Sequence, residues 1–122
     1  MIVDDDLDIR DSMQEILEDQ GYAVVTACDG ADALAQLRGG LRPRLILLDL
    51  MMPVMDGFAF CQEWKKDPAL SVVPVIVISA DAAVTKKAAA CGATGFLDKP
   101  LNLQTLIEAV ERYTARPGTA PP

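Results

Sequence analysis

An aliphatic run that ends in an acid, Leu45-Ile46-Leu47-Leu48-Asp49, limits what this chain can become more than any other stretch. Four consecutive aliphatic side chains leave no polar face, so a strand made of them is buried on both sides, as in the centre of a parallel sheet. Asp49 then stands at the carboxyl end of that strand. Open α/β sheets collect their ligands there, which makes Asp49 the first candidate for chemistry, as a nucleophile.

The flanking sequence alternates between the two kinds of element. Ile2-Val3 is a short first strand that runs into Asp4-Asp5-Asp6. From Leu7 to Gln20 the apolar positions Ile9, Met13, Ile16 and Leu17 share one helical face, with Asp6 or Asp8 as N-cap and Gly21 as the stop. Tyr22 to Ala27 is a β-branched run and predicts the second strand. Asp29-Gly30 opens a helix through Ala33, Leu34 and Leu37 that Gly39-Gly40 closes, and Arg42-Pro43-Arg44 leads into the Asp49 strand. After Pro53 and a turn at Asp56-Gly57, the residues Phe58, Cys61 and Trp64 mark one side of a third helix ending near Asp67-Pro68. Pro74 to Ser79 is another buried strand, and it stops at a hydroxyl. An alanine-rich fourth helix over 82–90, thinly apolar and so loosely packed, ends at Gly92. Thr94 to Leu97 is a short last strand followed by Asp98-Lys99-Pro100. Asn102 caps a final helix whose buried stripe is Leu103, Leu106, Ile107 and Val110. The chain therefore divides into one domain over 1–114 and a proline-rich tail or linker stub over 115–122.

Five strands alternating with five helices, joined by right-handed crossovers, make a doubly wound parallel α/β sheet with helices on both faces. The strand order that suits five strands is 2-1-3-4-5, and its switch point lies between strands one and three. Asp4, Asp5 and Asp49 therefore converge on one crevice. Carboxylates held that close repel one another unless they share a cation. Magnesium, or manganese in its place, prefers oxygen ligands and needs only one or two carboxylates beside a phosphate oxygen. Zinc would look for histidine or cysteine, and neither stands near these strand ends. Ser79 and Lys99, at the ends of strands four and five, add a hydroxyl and an ammonium, which together with the metal carboxylates form a cradle for a phosphoryl group.

Charge and composition narrow the alternatives. The formal net charge of −7 argues against direct nucleic-acid binding and suits cations. The absence of histidine removes imidazole chemistry from this chain itself. Cys28, Cys61 and Cys91 are widely spaced and odd in number, which fits small buried side chains in a reducing compartment. The longest apolar runs are too short to span a membrane and no secretory pattern opens the chain, so the expectation is a cytoplasmic protein without membrane contact.

The chain resembles the receiver domain of two-component response regulators over most of residues 1–114. The matching residues are Val3-Asp4-Asp5, Leu48-Asp49, Met52-Pro53, Met55-Asp56-Gly57, Ser79-Ala80 and Lys99-Pro100. Each stands alone in many unrelated proteins; in this order, at successive strand ends, they are specific. The resemblance implies a flavodoxin-like three-layer sandwich and a phosphorylation switch. Asp49 would accept a phosphoryl group from a phosphohistidine on a histidine kinase or a phosphotransfer protein. Asp5, Asp49 and the backbone carbonyl of Met51 would ligate magnesium, with Asp4 acting through a bound water. Lys99 would pair with the phosphoryl oxygens, Ser79 would swing toward them, and Phe96, at the aromatic switch position, would turn inward. The output would appear on the face formed by the fourth helix, fifth strand and fifth helix, which is also where the family can form homodimers. Self-phosphorylation and self-dephosphorylation aside, such a domain is not an enzyme.

Two features depart from the family pattern: the first strand is short, and Met51 and Asp81 occupy the positions that influence attack of water on the acyl phosphate. Other classes fit less well. A flavodoxin-like mononucleotide binder would need a phosphate loop after the first strand, where this chain has aspartates. A phosphatase of the aspartyl-phosphate type would need a general acid two residues after its nucleophile, where Met51 stands. A receiver that has lost phosphorylation and only binds protein would have no use for Asp5, Asp49, Ser79 and Lys99 together. Singly, Asp49 could be a capping residue, Lys99 a surface lysine and Phe96 ordinary core.

Overall fold

The computed structural model describes residues 1–49, 57–79, 86, 92–98 and 102–114. Among these, the strands β1 (Ile2–Val3), β2 (Thr26–Ala27), β3 (Ile46–Asp49), β4 (Val75–Ser79) and β5 (Gly95–Asp98) form one parallel sheet in the order β2-β1-β3-β4-β5. The helices are α1 (Leu7–Asp19), α2 (Gly30–Arg38), α3 (Gly57–Lys66), a single turn α4 (Pro68–Ser71) and α5 (Leu103–Thr114). The helix expected over 82–90, apart from Lys86, the loop containing Met51, the Lys99-Pro100 dipeptide and the tail over 115–122 lie outside the described residues.

Four of the five helix starts are written locally. Asp6 Oδ1 accepts from the Asp8 and Ile9 amides at 2.9 and 3.2 Å, Asp29 Oδ1 from Asp32 at 2.8 Å, and Asn102 Oδ1 from Gln104 and Thr105 at 2.8 and 3.2 Å. These carboxylate and amide oxygens satisfy donors that the first helical turn leaves without a partner. Asp67 does the same for α4, an element the sequence pattern did not announce, with Pro68 in its first turn.

The sheet separates two cores. On one face α2 and α3 cover it, with Leu34, Leu37, Phe60, Cys61 and Trp64 packed on Val3, Ile46, Leu48, Val75 and Val77. On the other, Met13 and Leu17 of α1 and Leu106 and Val110 of α5 pack on Ile2, Leu47, Ile76 and Ile78. Strand residues alternate between the two, as the pleat requires. Trp64 closes the first core with its indole N–H donating to the buried Val73 carbonyl at 2.9 Å. No helix among the described residues is long and apolar enough to cross a membrane.

Several expectations need correction. Strand two was expected from Tyr22, but only Thr26 and Ala27 pair, because β1 supplies partners for no more of it. The last two strands begin one residue later than expected, at Val75 and Gly95, although Pro74 still accepts from the Ile46 amide through its carbonyl. Ile9 and Leu103, placed on buried stripes, are exposed, because each sits in the first turn of its helix, beyond the edge of the sheet. Phe60, absent from the expected stripe of α3, is fully buried beside Cys61. Cys28, expected to be buried, is exposed.

Candidate metal centre at the carboxyl edge of the sheet

Register fixes which strand ends meet. Val3 pairs with Leu48, so Asp4 and Asp49, each one residue further on, leave neighbouring strands at the same level. Asp49 in turn lies opposite Ile78, and Ser79 follows as the last residue of β4, opposite Asp98. The side chains of Asp4, Asp49 and Ser79 are nearly buried, at 4%, 5% and 3% exposure, whereas Asp5 is open to solvent. One carboxylate oxygen from each of Asp4, Asp5 and Asp49 lies within 4.8 Å of the other two.

This arrangement is electrostatically costly. Two buried carboxylates at such a separation repel by on the order of 3 kcal/mol at an effective dielectric constant of about 20. A cation held among the three relieves the repulsion, and the donor set selects its type. All three donors are hard carboxylate oxygens, and the chain has no histidine to offer. That chemistry fits magnesium or manganese and is a poor match for zinc. Asp5 is exposed, so an ion bound here would be reachable from solvent.

Local bonds hold the acidic turn in shape. Asp4 Oδ1 accepts from the Asp6 amide at 2.9 Å, and Asp6 in turn caps α1. Arg10 reaches back from the first turn of α1 and donates through Nη1 to the Asp4 carbonyl at 2.8 Å. The sequence reading overlooked Arg10. Its only signal there is a single cation in the acidic stretch Asp4 to Asp11, and such a residue usually reads as a surface charge.

The sequence candidates thus divide into three groups. Asp4, Asp5 and Asp49 are brought together as expected, with Ser79 on the adjacent strand end. Phe96, on β5 opposite Val77, is 38% exposed and so stands outward. Lys99 follows Asp98, the last residue of β5, and like Met51 lies outside the described residues.

The chain is thus a doubly wound parallel α/β domain with three carboxylates at its switch point, and comparison with known proteins gives its family. The model of the response regulator receiver domain matches residues 1–111. The chain belongs to that family. It is 34% identical over 115 residues to Protein PilG of Pseudomonas aeruginosa, covering 93% of this chain and 84% of that protein. It is 35% identical to the DNA-binding dual master transcriptional regulator RpaA of Synechocystis, covering 99% of this chain but only 51% of the relative, so it spans about half the length of such regulators. Among solved structures, the chemotaxis protein CheY4 of Vibrio cholerae superposes with a TM-score of 0.84 at 35% identity, covering 92% of this chain and 94% of that one.

Proposed function

We propose that this domain is a phosphorylation-activated switch in which Asp49 is the phosphoacceptor. The observation that carries the reading is the placement of Asp49 at the buried end of the central strand, with Asp4 and Asp5 just past the end of β1 and Ser79 at the end of β4 on either side. The donor is a phosphohistidine on a histidine kinase or a histidine phosphotransfer protein, since this chain has no histidine of its own. In the transfer an Asp49 carboxylate oxygen forms a bond to phosphorus as the P–N bond to the donor imidazole breaks, and the imidazole nitrogen keeps the electron pair. Asp5, Asp49 and the Met51 carbonyl, with Asp4 acting through a bound water, would hold magnesium or manganese, and that ion would supply positive charge beside the transferring group. Lys99 pairs with the phosphoryl oxygens. Ser79 donates its hydroxyl to them.

The phosphoryl group adds a charge near −2, and this biases a two-state arrangement of Ser79 and Phe96. Phe96, outward in the structure, moves inward, and the face formed by 82–90, β5 and α5 changes. That face meets the output partner or a second copy of the domain. The domain is a substrate of its kinase rather than an enzyme in its own right, and its acidic charge disfavours direct binding of nucleic acid.

Intact mass after incubation with acetyl phosphate tests the reading directly. A gain of one phosphoryl group that needs both magnesium and Asp49, and is lost in Asp49→Asn, is the expected result. No gain in a folded wild-type chain would leave a protein-binding module without phosphorylation. The apolar Met51 gives an attacking water nothing to orient it, so the acyl phosphate is long-lived for the family. Met51→Asn should shorten its half-life severalfold, and an unchanged half-life would refute that role.

A further inference from the structure

The sheet releases the chain just where the acids begin. The ladder of β1 ends at Val3, against Ala27 on one side and Leu48 on the other. Asp4 still donates its amide to the Ala27 carbonyl at 3.2 Å, but two residues beyond Ala27 the chain has already turned, with Asp29 as the cap of α2. Two of the three carboxylates of the metal centre stand in the turn that follows. A turn left untethered would lose conformational freedom each time an ion bound, and the affinity would fall by that cost.

Three further bonds fasten this turn, and two of them come from Arg10. Asp4 Oδ1 accepts from the Asp6 amide at 2.9 Å. The Arg10 amide donates to the Asp6 carbonyl at 3.0 Å, and the guanidinium donates through Nη1 to the Asp4 carbonyl at 2.8 Å. That carbonyl belongs to the planar peptide joining Asp4 to Asp5, so holding its oxygen sets the plane from which the Asp5 side chain departs. The bond is charge-assisted, about twice as strong as one between neutral groups. It goes to the main chain, so through it Arg10 takes up none of the carboxylate oxygens. Arg10 is also the one basic residue between Asp4 and Asp19.

We infer that Arg10 is a positioning residue for the metal centre: given that the three carboxylates are the cation site proposed above, it fixes the Asp4-Asp5 peptide in advance and so raises their affinity for magnesium. Two properties of the same side chain pull in opposite directions. As a charge, the guanidinium repels an incoming divalent cation, so its removal strengthens binding. As an anchor, it keeps the carboxylates in place, so its removal weakens binding; groups that orient metal ligands from behind are worth about 10- to 100-fold in affinity. The sign of the change tells the two apart.

The test is calorimetric titration of magnesium chloride into the 122-residue chain at constant ionic strength, for the wild type, Arg10→Met, Arg10→Lys and Asp49→Asn. Methionine keeps an apolar stem without charge or donor, and lysine keeps the charge and the single donor that this bond needs. Arg10→Met is expected to raise Kd about tenfold, with Arg10→Lys close to the wild type. Amide hydrogen exchange without metal is the second readout. In Arg10→Met the Asp6 amide should exchange several-fold faster while Leu48, in the middle of the sheet, exchanges as before. A Kd equal to or below the wild-type value in Arg10→Met overturns the inference, and so does unchanged exchange at Asp6. Equal acceleration at Leu48 also overturns it, since Arg10 would then support the fold as a whole. Asp49→Asn marks failure of the site itself: if it binds magnesium as tightly as the wild type, or if the wild type binds none, the carboxylates are not the cation site and Arg10 has nothing there to position.

Discussion

Gly95 lies in β5 under the ring of Tyr113, and the absence of a side chain there is what lets α5 pack so close. A Cβ on Gly95 would stand 2.8 Å from the Tyr113 hydroxyl oxygen and 3.2 Å from the ring carbon that bears it. Gly95→Ala should therefore cost about 1–3 kcal/mol, because the ring has to move out of its packing. The cost should shrink markedly when Tyr113→Ala is made as well; equal destabilisation in both backgrounds, measured by urea unfolding, would show that the contact is not the cause. Trp64 presents a second single-atom dependence. Its indole N–H satisfies the buried Val73 carbonyl, so Trp64→Phe keeps most of the apolar contact but leaves that oxygen unpaired, at about 1–3 kcal/mol. Neither contact follows from the identity of the residue alone. Tyr113 and Trp64 read in the sequence as aromatic residues on helices, and the partner in each case comes from a distant strand or loop.

At the scale of elements, β1 is, with β2, one of the two shortest strands of the sheet, and it leads directly into two of the three acids. It has two ladder residues, and its start is secured by the Met1 amino group on the Leu45 carbonyl. Burial lowers the pKa of that amino group from 8.0 to about 6. A base with a lowered folded pKa binds its proton more weakly when folded, so between about pH 6 and 8 the unfolded chain carries more protons. Stability then rises with pH across that window and is flat above it. The change for this group is about 2–3 kcal/mol, and it should vanish when the amino group is acetylated. Urea midpoints at pH 6 and pH 8, for free and acetylated chains, check the sign directly. The neighbouring α1 depends on its cap in the same local way: Asp6→Ala removes the acceptor for two amides and should lower stability by about 1 kcal/mol.

For the molecule as a whole, the net charge of −7 and the acidic cluster at the sheet edge act in the same direction. A divalent cation that binds the folded chain and not the unfolded one stabilises it by mass action, by about 2.7 kcal/mol at a hundredfold excess over Kd. Millimolar magnesium should therefore raise Tm by several degrees, sodium at equal ionic strength should do so much less, and Asp49→Asn should remove at least half of the magnesium effect. An identical rise in the variant would place the ion elsewhere. The alternation of strands and helices, the caps at Asp6, Asp29 and Asn102, and the convergence of Asp4, Asp5 and Asp49 were all legible in the sequence. Each depends on periodicity, on a nearest-neighbour bond or on the handedness of crossovers, and those rules operate within a few residues or on the order of elements. What the sequence left undetermined depends on neighbours that are distant along the chain. A β-branched run such as Tyr22 to Ala27 is a strand only as far as another strand lies beside it. Helical spacing marks a face, but the sheet decides how much of it is covered, which is why Phe60 is buried and Ile9 and Leu103 are not. The tie from Arg10 to the Asp4 carbonyl needs α1 folded back over the end of β1. Local chemistry thus determined the elements and the acids at their ends, while tertiary packing decided which of their backbone groups and side chains found a partner.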